Sequence, residues 1–261
     1  MKGLYYNLYN KMVANNIEIY ENRVAAELLI WQKKMQKSPS VANSISKAIQ
    51  KRMNAFIPDR VHQYITTAIK QMVKIVLYGS TYTASKPLED GSLMLREAYV
   101  REKIDFYKKA ASAEGAIIGA GGILMGLAEF PILFGIKIKL LYDIAALYGH
   151  DVTDYRERVF ILYVFQLAFS SQERRNEIYQ ILQTWPQYIQ TLPNDINEFD
   201  WLTFQQEYRD YLDLAKLAQL IPIIGAPVGA IVNYQLLDKL GDTAKNSYRL
   251  RRKLALGDKS I

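Results

Sequence analysis

The sequence predicts an all-α protein: a single multi-helix domain with two apolar, Gly- and Pro-containing helical hairpins packed at its centre. Two observations carry this. Long runs place apolar residues at helical spacing, and no segment shows sustained period-two alternation bounded by hairpin turns. Half of the 261 residues are apolar, 19 of them tyrosine, so the chain can bury a sizeable core.

The elements follow in order. Residues 5–35 read as one helix through Leu8, Met12, Ile19, Val24, Leu28 and Trp31, with no Pro or Gly inside it. "KSPS" breaks it, and a second run starts near Ser40 and stops at Pro58, where Asp59 can cap the next helix. That helix carries Ile65, Ile69, Val73 and Val76, and ends in the loop Tyr78–Ser92. From Ser92 a charged helix runs into "GAIIGAGGILMGLAEFPILFGIK", with a bend expected at Glu129–Pro131. The helix after it ends at Gly149, the left-handed cap position. Thr153 or Asp154 caps a further helix, Ser171 opens another, and Pro186 lies just beyond its end. A second apolar stretch, "IPIIGAPVGAIVNYQLLDKL", leads into a basic end. We divide the chain into an N-terminal helical extension, residues 1–85, and a helical domain, residues 90–255.

The glycine-rich stretch is no nucleotide loop. Gly119 and Gly121 match the start of G-x-G-x-x-G, but position 124 is Leu and the preceding segment is helical, not strand. Its length suffices to cross a bilayer, yet Glu129 and Pro131 interrupt it. The pairs Gly115/Gly119, Gly122/Gly126 and Gly225/Gly229 each put two glycines on one helix face, where another backbone can approach closely. Such a hairpin packs equally well within a protein core or at a membrane.

Two segments carry a family resemblance. One is "EGAIIGAGGILMGLAEFPILFGIKIKLLYDIAALYGHDV", with an acidic residue before Pro131 and Tyr148-Gly149 closing the helix. The other runs from Pro222 through Asn233-Tyr234 to Arg249–Arg252. Together they resemble the EcsC family over residues 90–255, with Glu129 where the family more often has Asp. The resemblance implies a helical, cytoplasmic or membrane-peripheral protein and brings no established reaction.

Chemistry is sparse. No cysteine is present, which removes thiol nucleophiles and disulfides, and the two histidines lie far apart, so no metal site and no cofactor are expected. The weak catalytic candidates are Glu129, Asp143 and Asn233, polar residues in or beside the apolar segments. Net charge is +7, distributed as +9 over residues 1–110, −1 over 111–147, −6 over 148–213 and +5 over 214–261. This pattern suits an anionic membrane surface more than nucleic acid, for which no recognised motif exists. The N-terminus has no secretory h-region, so a cytoplasmic location is expected.

The preferred reading is therefore non-enzymatic, at the inner face of the cytoplasmic membrane. Lipid contact would come from Gly115, Gly119, Gly122, Gly126, Pro131, Pro222, Gly225, Pro227 and Gly229, with electrostatic support from Lys245, Arg249, Arg251 and Arg252. The alternatives are a soluble enzyme using the buried carboxylates, and a scaffold that binds a protein partner through the N-terminal helices.

Overall fold

The computed structural model describes residues 2–37, 59–78, 85–170, 172–204 and 226–257. Every regular element among them is helical: α1 (Lys2–Gln36), α2 (Asp59–Tyr78), α3 (Leu93–Leu147), α4 (Tyr155–Phe169), α5 (Gln172–Gln183), α6 (Trp185–Thr191) and α7 (Ala226–Leu256), plus a 3-10 turn at Ile196–Glu198. The helix expected between Ser40 and Pro58 lies outside the described residues.

Local chemistry sets the ends. Ser92 caps α3 by accepting from the Leu95 N–H at 3.3 Å, and Asp154 caps α4 by accepting from Arg156 N–H at 2.9 Å. At the far end of α3, Gly149 takes φ +89°, its N–H bonds the Ala146 carbonyl and the His150 N–H bonds that of Ala145. This is the left-handed closure that a β-carbon disfavours. A β-carbon at Gly149 would also press to 3.3 Å from the Leu88 carbonyl.

Helical backbone continues through α3 without interruption, yet its two ends lie side by side. Tyr107 donates to Asp143 at 2.9 Å and Tyr148 to Glu97 at 3.0 Å. A straight helix would hold residues 107 and 143 about 54 Å apart, at about 1.5 Å per residue. The chain direction therefore reverses between residues 113 and 134. The midpoints of the paired positions fall at about residues 122 to 125, within Gly121–Gly126. The expected bend at Glu129–Pro131 lies in the same interval, between residues 113 and 134.

Against this pair of arms lies α7. Its contacts with the first arm run antiparallel: Ser112 with the Ala230 carbonyl (3.0 Å), Lys108 with Asp238 (2.5 Å), Ile104 over Gly241, and Glu97 with Arg249. Contacts with the second arm run parallel: Lys137 with Asn233 (3.3 Å) and Tyr148 with the Lys245 carbonyl (3.4 Å). The start of α7 and the reversal of α3 consequently share one end of a three-helix core. The second apolar stretch is described only from Ala226 onward, so Pro222 and Gly225 fall outside it, whereas Pro227 and Gly229 sit in the first turns of α7.

The core is completed by α4, on which every residue except Arg156 is buried. Phe165 meets Phe134 of α3 at 5.4 Å, and Phe160 meets Tyr248 of α7 at 5.1 Å. From α1, Tyr20, Val24, Leu28, Trp31 and Met35 form one buried stripe; from α2, Ile69, Val73, Val76 and Leu77 do.

Candidate functional site

Buried charge is concentrated at the end of the core opposite the α3 reversal. There Glu97, fully buried, receives both Nε and Nη2 of Arg249 at 2.6 and 2.5 Å, Tyr20 at 2.7 Å and Tyr148 at 3.0 Å. Burial works to raise its carboxyl, but the bonds and charge of Arg249, with both hydroxyls, outweigh this and hold it below its ordinary value. Arg249 reaches on to Glu27 of α1 at 2.9 Å. One carboxylate therefore ties α1, α3 and α7 together.

Beside it, Glu157 of α4 accepts from Tyr248 at 2.7 Å and Arg251 at 2.5 Å. The Arg251 guanidinium also lies 4.7 Å over the Phe160 ring. His150 stacks on Tyr248 at 5.3 Å, 3.8 Å from Glu157. Burial depresses its pKa to about 4; Glu157 opposes that shift, while Arg251 and Arg96 add to it.

Two more arginines serve backbone carbonyls. Arg96 donates to Leu88, Glu89, Gly91 and Leu147, which staples the loop before α3 to the end of α3. Arg158 donates to Leu77, Val152 and Thr153, closing the end of α2. Both leave helix-end and loop carbonyls satisfied without water.

Of the predicted catalytic candidates, Asp143 and Asn233 are held by separate partners. Asp143 is buried and holds Lys139 at 2.5 Å, Ser85 at 2.8 Å and Tyr107 at 2.9 Å, with Lys103 at 3.5 Å. Burial would raise its carboxyl, and these partners override that and keep it ionised. Asn233, fully buried, is engaged by a different lysine, Lys137. Glu129 lies on the helical backbone of α3, as do Gly115, Gly119, Gly122, Gly126 and Pro131.

An open depression of about 480 Å³ is lined by Tyr155, Arg158, Ile196 and the carboxylates Asp154 and Asp195. Both carboxylates are committed to capping, Asp154 on α4 and Asp195 on the Asn197 N–H at 2.9 Å. No group of His, Asp or Glu among the described residues could hold a metal ion.

The basic residues assigned to lipid are placed mostly inward. Arg249 is 3 % exposed, Arg251 is spent on Glu157, and Lys245 pairs with Asp242 at 3.1 Å. Arg252 is half-buried, with Nε lacking a hydrogen-bond partner. They lie toward the far end of α7 from Gly229: Ala230 and Arg249 are about 28 Å apart along the helix. Among the described residues, no helix is long and apolar enough to cross a membrane.

Comparison with known proteins settles the family. The model of the EcsC protein family matches residues 22–252. The chain belongs to the EcsC protein family. The match takes in most of the N-terminal region that the motifs alone left unplaced. It is similar to Protein EcsC of Bacillus subtilis (strain 168), 40% identical over 226 residues, covering 86% of this chain and 93% of that protein. It also resembles the Uncharacterized protein YdbA of the same organism, 34% identical over 144 residues, 55% of this chain and 53% of that one. No solved structure matches.

Sequence reading missed Glu97, Tyr20, Glu157 and the carbonyl-binding arginines. The local signal of the charged ones is a charge on an otherwise apolar helix face, Tyr20 gives none, and the partners lie up to 152 residues away.

Proposed function

We propose that this EcsC-family protein is non-enzymatic and acts as a peripheral membrane protein at the inner face of the cytoplasmic membrane, docking through the end of the core that holds the α3 reversal. One observation carries the reading. The Ser112–Ala230 and Lys137–Asn233 contacts bring the glycine-rich stretch and the beginning of α7 to the same end, while the buried ion pairs occupy the other. An apolar end on a charged body is the division of surface that an interfacial protein needs. Arg249 and Arg251 are spent on carboxylates, so electrostatic help from the tail is small and the docking is apolar in character.

Flotation with phosphatidylglycerol vesicles at low and high salt tests this. The expected result is salt-resistant co-flotation that Leu124→Asp abolishes. A protein that stays soluble, or one that floats only at low salt and ignores Leu124→Asp, overturns it. The scaffold reading keeps one observation in its favour. Tyr6 and Val13 continue the buried α1 stripe toward the N-terminus at seven-residue steps from Tyr20, and both are exposed. A soluble outcome would make that stripe the surface to probe.

A further inference from the structure

Helix α1 outlasts the body on which it packs. Among the described side chains its buried stripe begins at Tyr20, and of residues 10–19 only Ile17 is even half-buried. These ten positions carry about 15 Å of helix that the body does not cover. Propensity does little to hold it: Val13, Asn15, Asn16, Ile17 and Ile19 are all poorer helix formers than Ala or Leu. Isolated segments of this length are marginal in water, so burial against something outside the body would stabilise the arm.

A second apolar line runs along α1 on the side turned away from the body. Met12, Ile19 and Ile30 are 60, 59 and 70 % exposed, and at steps of seven and eleven residues they fall within about 20° of one line. That line stands about a third of a turn round from Tyr20, Val24, Leu28, Trp31 and Met35. Lys11 and Glu18, both exposed, flank it on the same side, about a quarter-turn away. Asn15 and Asn16 straddle it between Met12 and Ile19.

Reversed, this pattern is complementary to itself. Let a second copy cross antiparallel, with the crossing between Asn15 and Asn16. Met12 then faces Ile19 of the second copy, and the amides face one another. Lys11 lies about 3 Å along the axis from Glu18 of the second copy, on the same flank, and the two-fold symmetry repeats each contact. A lipid surface suits the line less well. Between residues 10 and 23 Lys11 and Arg23 balance Glu18 and Glu21, so no net charge draws it to anionic headgroups. Both asparagines would enter lipid unpaired, whereas against a second copy they pair and fix the register.

We propose that the protein self-associates through the outer face of α1, a second copy of the chain crossing it antiparallel at Asn15–Asn16. Met12 and Ile19 form the apolar contact, and the Lys11–Glu18 ion pairs set its direction. The contact is small, so the dimer is weak and concentration-dependent. It does not use the α3 reversal and is independent of the docking reading above.

Sedimentation equilibrium of the whole chain over a concentration series, without lipid, tests this. The wild type should pass reversibly from monomer to dimer. Ile19→Asp should stay monomeric, and Lys11→Glu and Glu18→Lys should each weaken association about tenfold. Combined in one chain, the two charge reversals should restore it, because every Glu again meets a Lys. These positions are exposed, so the substitutions leave the fold intact.

A chain that stays monomeric at every concentration overturns the proposal. So does a dimer that survives Ile19→Asp, or a double reversal that associates no better than the single ones. A monomer whose flotation on phosphatidylglycerol vesicles is lost in Ile19→Asp also overturns it, and assigns the line to lipid.

Discussion

At the scale of single residues, Glu97, Asp143, Glu157 and Arg249 are kept charged inside the protein by named partners. Arg249 is the instructive case, because as part of "RLRRK" it reads as a solvated helix end. It is drawn inward by Glu97, 152 positions earlier, and such a pair has no local trace in the sequence. His150 sits against the same polar end and supplies a pH dependence. Its folded pKa of about 4 lies below the ordinary 6.5, because burial favours the neutral ring. The unfolded chain therefore takes up the proton first on acidification. The stability contributed by the neutral ring is complete above 6.5 and is lost as pH falls from there toward 4. Glu97 and Asp143 have depressed pKa values, so their contributions are lost only below the ordinary carboxylate range. Thermal melts between about pH 7 and about pH 5 should show Tm falling with pH. His150→Gln should flatten that fall, and an unchanged slope in this variant would refute the assignment.

At the scale of elements, the crossing of α3 and α7 is set by Gly241. A β-carbon there would come within 2.7 Å of both Cδ1 and Cγ1 of Ile104, closer than real contacts allow. Gly241→Ala should therefore destabilise by about 1–3 kcal/mol in urea denaturation, the usual cost of overpacking. The double variant Gly241→Ala with Ile104→Ala should lose less than the sum of the two single changes, because the added methyl fills space vacated by the isoleucine. Strict additivity would show that the two side chains do not meet. The helices themselves were legible: the Asp59 start, the Ser92 and Asp154 caps and the Gly149 closure follow from single residues and their immediate neighbours. Gly241 was not, since "KLGDT" looks like any surface turn of helix. The small-residue pairs that did stand out, Gly115/Gly119 and Gly122/Gly126, lie in the α3 reversal.

For the whole molecule, the decisive feature is that the two arms of α3 run antiparallel, because this alone sets an apolar end against a charged one. Helical periodicity is local and carries no record of direction, so the glycine-rich stretch was legible as helix, whereas the pairing of the two arms was not. The charge blocks were informative in a similar, partial way. The basic C-terminal block meets Glu27 and Glu97 from the first block and Glu157 from the acidic middle, so much of it is spent internally. Because the chain has no cysteine, two introduced thiols can report the reversal without background. Glu102 on the first arm and Gly135 on the second are both exposed, and a β-carbon at Gly135 meets nothing within 4 Å. Spin labels on the pair Glu102→Cys and Gly135→Cys would be about 50 Å apart on a straight helix. With the arms packed side by side at an interaxial distance of about 8–10 Å, and the two positions offset by about two to three and a half turns, the label distance should fall to about 15–25 Å. A distance near the straight-helix value would separate the glycine-rich stretch from the start of α7, and the shared apolar end on which membrane docking depends would not exist.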